Sequence, residues 1–208
     1  VPFEQGPIRP VDEADSLLIR TTRGCPWNRC TFCSLYEGMQ FSLRSVPEIK
    51  NDILAAKEYF NGHPFETCFL QDGDSFVMPT KDLIDVLKTL KTAFPSLKRI
   101  SSYGRAQTLV KKSSSAMKEI FDAGLNKLYC GMESGSLQVL EKVKKGITPT
   151  TIIKSAHMAR EAGMNTTQFI IMGLGGTELS TIHATETAKV LNAINPNHIR
   201  ILTIGVKP

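Results

Sequence analysis

The chain has 208 residues, 41% of them hydrophobic and 22% charged, which is enough apolar material for one sizeable core and argues against disorder. No apolar run approaches the ~18 residues of a transmembrane helix, and Val1-Pro2-Phe3-Glu4 does not read as a secretory leader. The formal charge of +5 includes only small basic groups, Lys111-Lys112 and Lys142, Lys144 and Lys145, of the kind that solvate a helix face. Neither a membrane nor a nucleic-acid partner is indicated.

Residues 1–15 are polar and proline-bearing without periodicity, and are expected to form an arm. Residues 16–208 are expected to be one core domain. Because the chain starts without Met and stops just after a strand-like run, that domain is expected to be cut short after its sixth strand. The first strand falls at about Ser16–Thr21, followed by a cysteine-bearing loop to about Leu43. Ser45 as N-cap, Pro47 in the first turn and Glu48 reaching back predict a helix to Phe60, stopped by Asn61-Gly62. Phe65–Gln71 reads as a buried strand ending in Asp72-Gly73-Asp74, and Thr80 is expected to cap a second helix that ends before Pro95.

A third strand at Arg99–Ser102 runs into Tyr103-Gly104-Arg105, and a helix follows from Ser113 or Ser114 to Ala123-Gly124. Leu125–Cys130 is the fourth strand. Ser136 caps a helix over Leu137–Lys144, and Thr148 or Thr150 opens another that reaches Gly163. Thr166–Met172 is the fifth strand, Leu179–Asn192 the last helix and His198–Ile204 the sixth strand. Strands alternating with helices predict parallel βαβ units with right-handed crossovers.

Cys25, Cys30 and Cys33 lie within nine residues. In a chain without a leader, such a group points to metal or redox chemistry and not to a disulfide framework. Three thiolates on one loop fit a [4Fe–4S] cluster, which needs four iron ligands and would keep one iron open to a small molecule. A zinc site is the alternative, but structural zinc takes four protein ligands, commonly as two short-spaced pairs. Cys68 and Cys130 stand singly in strand-like runs and read as small buried hydrophobes, and no His lies near the triplet.

The stretch Arg23–Cys33 resembles the cluster loop of the radical S-adenosylmethionine (SAM) enzymes, with three cysteines after the first barrel strand and an aromatic, here Phe32, before the last. Its C-x4-C-x2-C spacing is one residue longer in the first gap than the family's commonest form. The resemblance implies a [4Fe–4S] cluster on Cys25, Cys30 and Cys33, and SAM chelating the open iron through its amino and carboxylate groups. Reductive cleavage of SAM to methionine and a 5′-deoxyadenosyl radical would follow. An electron donor such as flavodoxin or ferredoxin and a reducing, cytoplasmic setting are implied with it. Alternation alone fits a Rossmann-like sheet equally well; the loop's place after the first strand tips the expectation to an open (β/α)6 partial barrel of the TIM type. Either fold gathers ligands at the carboxyl ends of the strands.

Other segments carry the same likeness. Gly73 and Asp74 stand where the family often has Gly-Gly-Glu, which holds the methionine amino group, although Asp-Gly also suits a plain turn. Gly131-Met132-Glu133-Ser134-Gly135 resembles the Gly-x-Glu-Ser-Gly segment of the branch containing anaerobic coproporphyrinogen oxidases, tRNA methylthiotransferases and cobalamin-dependent radical enzymes. That likeness turns Glu133 and Ser134 toward SAM, while the same residues suit a helix start. Lys145 and Arg105 are cations at positions suited to the methionine carboxylate, although a lone Lys at a helix end ordinarily compensates the dipole. Gly173-Leu174-Gly175-Gly176-Thr177-Glu178 resembles the segment whose strand packs along adenine, with Gln168 and Phe169 just before it. Trp27, between the first two cysteines, is suited to shielding a cluster or meeting a partner. Substrate and reaction type are not legible, and a zinc-bound module or a silent cluster- or SAM-binding scaffold would share most of these features.

Overall fold

The computed structural model describes residues 1–205, so the last three residues of the expected core lie outside the described residues. In chain order the elements are β1 (Leu17–Arg20), β2 (Thr22–Arg23), β3 (Ser42–Leu43), α1 (Val46–Tyr59), β4 (Thr67–Gln71), α2 (Thr80–Ala93) and β5 (Arg99–Tyr103). They continue with α3 (Ala106–Leu109), α4 (Ser114–Asp122), β6 (Leu125–Glu133), α5 (Leu137–Lys142), α6 (Pro149–Glu161), β7 (Asn165–Met172), α7 (Ser180–Ile194) and β8 (His198–Thr203). Six strands form one sheet in the order β1-β4-β5-β6-β7-β8, every pair parallel. The strands follow chain order without a reversal, as in an opened barrel; a doubly wound sheet reverses at its switch point.

Local chemistry starts most helices where the sequence predicts. Ser45 and Glu48 form a reciprocal capping box at α1, and Ser113, Ser136 and Thr148 cap α4, α5 and α6. Thr80 is different. The chain enters α2 at Pro79, whose side chain makes no cap bond, and Thr80 is already the first helical residue. The four-residue α3 escaped the pattern, too short to show a period, as did the 3-10 turns and the β2–β3 pairing, which brackets the cysteine loop as a small antiparallel ladder.

Alternation along the strands divides the sheet into two faces. Leu17, Ile19, Cys68, Leu70, Ile100, Leu128 and Cys130 join the apolar faces of α1, α2 and α4 in one core. On the inner face, Phe69, Tyr103, Tyr129 and Phe169 form a run of aromatic contacts, with centroids 5.0 Å apart for Phe69–Tyr103, 6.2 Å for Tyr103–Tyr129 and 6.1 Å for Tyr129–Phe169.

The N-terminal arm is built into this interior. A 3-10 turn at Val11–Glu13 carries Glu13 to complete burial (0% exposed). Its carboxylate accepts from Ser101 Oγ (2.9 Å), Arg99 Nη2 (3.0 Å) and Ser16 Oγ. Tyr129 Oη lies 2.6 Å from oxygens of both Glu13 and Asp12, and Arg200 of β8 reaches Asp12 at 3.2 Å. At the arm's other end Gln71 donates to the Ile8 carbonyl (2.7 Å) and accepts from the Gly6 amide (2.9 Å).

Candidate functional site

The cysteine loop leaves β1 over the carboxyl ends of the strands and is tied down at both sides. At its start Asp72, fully buried, accepts on Oδ2 from Arg20 Nε (3.0 Å) and from the Gly24 amide (3.0 Å). Burial pushes the Asp72 carboxyl up, against the opposing pull of Arg20 and Gly24. Glu4 from the arm holds Arg23 through two oxygens, at 2.8 and 2.6 Å. Farther along, the Thr31 amide donates to the Val143 carbonyl (3.0 Å) and Trp27 Nε1 to the Lys144 carbonyl (2.7 Å). Asn28 Nδ2 bonds the Tyr36 carbonyl at 2.7 Å and closes the loop on itself.

Held this way, the three cysteines border one cavity of about 180 Å³ with Phe32, Gly73, Arg105, Gly131, Glu133 and Lys145. Tyr103, Tyr129 and Phe169 line it from the inner face of the sheet, and Ile8 of the arm borders it too. All five thiols of the chain are free. Arg105 Nη1 lies 3.5 Å from Cys25 Sγ. Burial pushes the Cys30 thiol up, and the charges of Lys145 and Arg105 pull it the other way. Cys68 and Cys130 lie buried in or beside the sheet core, with their thiols pushed up by desolvation, Cys130 to about 12.

Glu133 owes its position to irregular backbone. The β6–β7 register shifts between Gly131 and Glu133, and Glu133 has φ +61°, left-handed territory that a non-glycine residue rarely occupies. Its carboxylate folds back over the strand to Lys145 Nζ at 2.8 Å. A Cβ on Gly131 would sit 2.2 Å from Glu133 Oε1, so a side chain there would displace the carboxylate from this position. Lys145 also stands 5.7 Å over the Phe32 ring.

Of the residues singled out from sequence, Cys25, Cys30, Cys33, Phe32, Gly73, Arg105, Glu133 and Lys145 therefore meet at one cavity. Asp74, Ser134 and Gln168 do not border it. Asp74 is fully buried and caps a 3-10 turn, accepting from the Phe76 amide at 3.2 Å. Ser134 Oγ is 2.8 Å from His183 Nδ1, under α7. Gln168 lies on the opposite pleat to Phe169, and Phe169 is the one on the cavity wall. Tyr36 was missed altogether. It is buried beside the cysteines, and its hydroxyl has no hydrogen-bond partner among the described residues. No local period marks a single aromatic on a loop.

The donor set fits an iron–sulfur cluster better than a lone metal ion. Three free thiols from one loop share a cavity wall, with two cations beside them to offset thiolate charge. Among the described residues no three His, Cys, Asp or Glu side chains are grouped to hold a metal ion. Structural zinc takes four protein ligands, commonly as two short-spaced pairs, and the loop brings three thiols to the cavity, whereas a cluster binds its thiolates on separate irons.

Residues 19–187 match the radical SAM superfamily. The chain belongs to that superfamily. Among curated relatives of this radical SAM protein, an uncharacterised methyltransferase of Pyrococcus horikoshii is 29% identical over 192 residues, covering 89% of the chain and 40% of the relative. The bacteriochlorophyllide d C-8(2)-methyltransferase of Chlorobaculum tepidum is 29% identical over 165 residues, 74% of the chain and 35% of the relative. The chain thus spans well under half of either relative. Among solved structures, coproporphyrinogen III oxidase from Escherichia coli aligns with a TM-score of 0.72 at 16% identity, over 93% of this chain and 44% of that one. The methyltransferase TsrM from Kitasatospora setae, solved with cobalamin and a [4Fe–4S] cluster, aligns at 0.69 with 16% identity, over 90% of this chain and 36% of that one. At those identities the likeness establishes the fold, a radical SAM partial barrel.

Proposed function

We propose that this radical SAM core binds a [4Fe–4S] cluster through Cys25, Cys30 and Cys33, and SAM in the adjoining cavity. When bound, the cluster supplies the electron that cleaves SAM to methionine and a 5′-deoxyadenosyl radical. The observation that carries the reading is the meeting of three free loop thiols with Arg105, Lys145 and Glu133 at one cavity. The chain's own residues contribute position and electrostatics. Lys145 and Glu133 offer a cation and an anion 2.8 Å apart, complementary to the carboxylate and ammonium of a methionine moiety. Tyr103, Tyr129 and Phe169 supply flat apolar surface for a nucleoside. Phe32 and the aromatic wall exclude water around a reactive radical. A low-potential protein such as flavodoxin or ferredoxin would deliver the electron, in a reducing compartment such as the cytoplasm.

The names of two relatives favour methyl transfer as a second reading of the same site. Anaerobic iron–sulfur reconstitution followed by EPR of the reduced protein, with and without SAM, tests the first. A [4Fe–4S] signal that SAM shifts, together with 5′-deoxyadenosine, is the expected result; S-adenosylhomocysteine as the main product would favour methyl transfer. Cys25→Ser, Cys30→Ser and Cys33→Ser should each abolish the signal while leaving circular dichroism unchanged, because none of the three belongs to a core cluster. Stoichiometric zinc without iron uptake would refute the reading.

A further inference from the structure

The likeness to known enzymes turns Arg105 toward a SAM carboxylate, but its contacts in this fold lead elsewhere. We propose that Arg105, clamped by Trp27, is a positioning residue that donates a charged hydrogen bond to the Cys25 sulfur and raises the reduction potential of the cluster bound there. The proposal rests on the cluster reading above.

Three observations carry it. The guanidinium already faces the sulfur, with Nη1 3.5 Å from Cys25 Sγ, although 80 residues separate the two in sequence. Among the described residues Arg105 makes no ion pair within 4 Å, whereas Lys145, the other cation of the cavity, is matched by Glu133. The guanidinium is also held. Its Cζ lies 5.6 Å from the centroid of the Trp27 ring, and Arg29 stands 5.3 Å from the same ring.

The Trp27 ring is fixed in turn by the same contacts that anchor the cysteine loop. Its Nε1 donates to the Lys144 carbonyl at 2.7 Å. Gly146 lies directly against it at φ +70°, and a Cβ there would stand 2.3 Å from Trp27 Cζ2. Gln107, in the short helix that Arg105 opens, bonds the Gly146 carbonyl and closes the ring of contacts. Loop, α3 and the turn after α5 thereby meet around the Trp27 ring on which Arg105 rests.

The physical consequence concerns one electron. An external low-potential donor passes it to the cluster; no bond forms or breaks, and the cluster gains one negative charge. A fixed cation with an N–H aimed at a ligating sulfur stabilises the reduced form more than the oxidised form, since hydrogen bonds and charge at the sulfurs set cluster potentials. Lysine would keep the charge but lose the planar fork and the stack on Trp27.

The test is an EPR-monitored redox titration of the reconstituted chain without SAM, so that the readout is a potential and not turnover. Arg105→Gln should lower the midpoint by about 59 mV, a tenfold change in the ratio of reduced to oxidised cluster for one electron. Arg105→Lys should fall between, and Trp27→Leu should shift the midpoint the same way with Arg105 intact. A fully loaded Arg105→Gln protein with an unchanged midpoint overturns the proposal, as does one whose only change is a weaker SAM-induced EPR shift. If Arg105→Gln fails to take up a cluster, unchanged midpoints in both Arg105→Lys and Trp27→Leu overturn it equally. Failure of the parent chain to assemble any cluster would instead refute the reading on which the proposal stands.

Discussion

Replacing Glu13 tests whether the N-terminal arm is part of the barrel's interior. Its carboxylate is fully buried and receives Ser101, Tyr129, Ser16 and Arg99. Bonds to a charged acceptor contribute about 1.5–3 kcal/mol each, and breaking a buried ionic group costs about 3–5 kcal/mol. Several partners have a second acceptor: Tyr129 keeps Asp12, Ser16 keeps Thr67 at 2.7 Å, and Ser101 keeps the Cys68 carbonyl at 3.3 Å. These alternatives place Glu13→Ala near the lower end, about 3 kcal/mol, a large share of a typical 5–15 kcal/mol. Glu13→Gln, which preserves shape and one acceptor, should cost roughly half as much. In urea unfolding of the metal-free chain, with a slope of about 2–3 kcal/mol/M for a domain of this size, the alanine midpoint should fall by about 1–1.5 M at constant slope. A fall below about 0.3 M would mean that the arm only rests on the barrel, and the reasoning would fail.

Two further outcomes follow from buried groups. Asp74 is held at about 6 by burial, opposed by Thr108 and Arg105, against an ordinary 3.8. A raised folded value means that the fold binds the proton more tightly, so this group's contribution to stability falls between pH 4 and 6 and is level above. Asp74→Asn should remove that slope, gaining up to about 3 kcal/mol on the parent between pH 4 and 7 in paired urea midpoints; parallel pH profiles would contradict it. Gly135 packs against α7 so closely that a Cβ would lie 2.3 Å from the Glu186 carbonyl oxygen, with the Gly135 amide on Thr187 Oγ1 at 2.9 Å. Gly135→Ala should therefore cost about 2 kcal/mol or more by thermal or urea unfolding, and a loss below about 0.5 kcal/mol would show that the helix simply shifts aside.

What the amino-acid sequence determined by itself was short-range. Helix starts follow from single residues and their third neighbours, as in the Ser45–Glu48 box, and βαβ alternation follows from hydrophobic period. The cysteine loop was legible because its chemistry lies within nine contiguous residues. Alternation alone left a Rossmann-like sheet open; the sequential strand order that settles it is a property of pairing between distant segments. Tertiary structure also decided which neighbour faces the cavity. Gly73 borders it while Asp74 is buried, and Phe169 borders it while Gln168 points away, because one residue along a strand reverses the direction of a side chain, as between Gln168 and Phe169. The arm looked structureless because most partners of its polar residues are distant in sequence; besides Ser16, Glu13 finds them on β5 and β6, 86 to 116 positions away. The Arg105–Cys25 and Glu133–Lys145 contacts arise the same way, from a parallel sheet that brings the carboxyl ends of distant strands to one mouth.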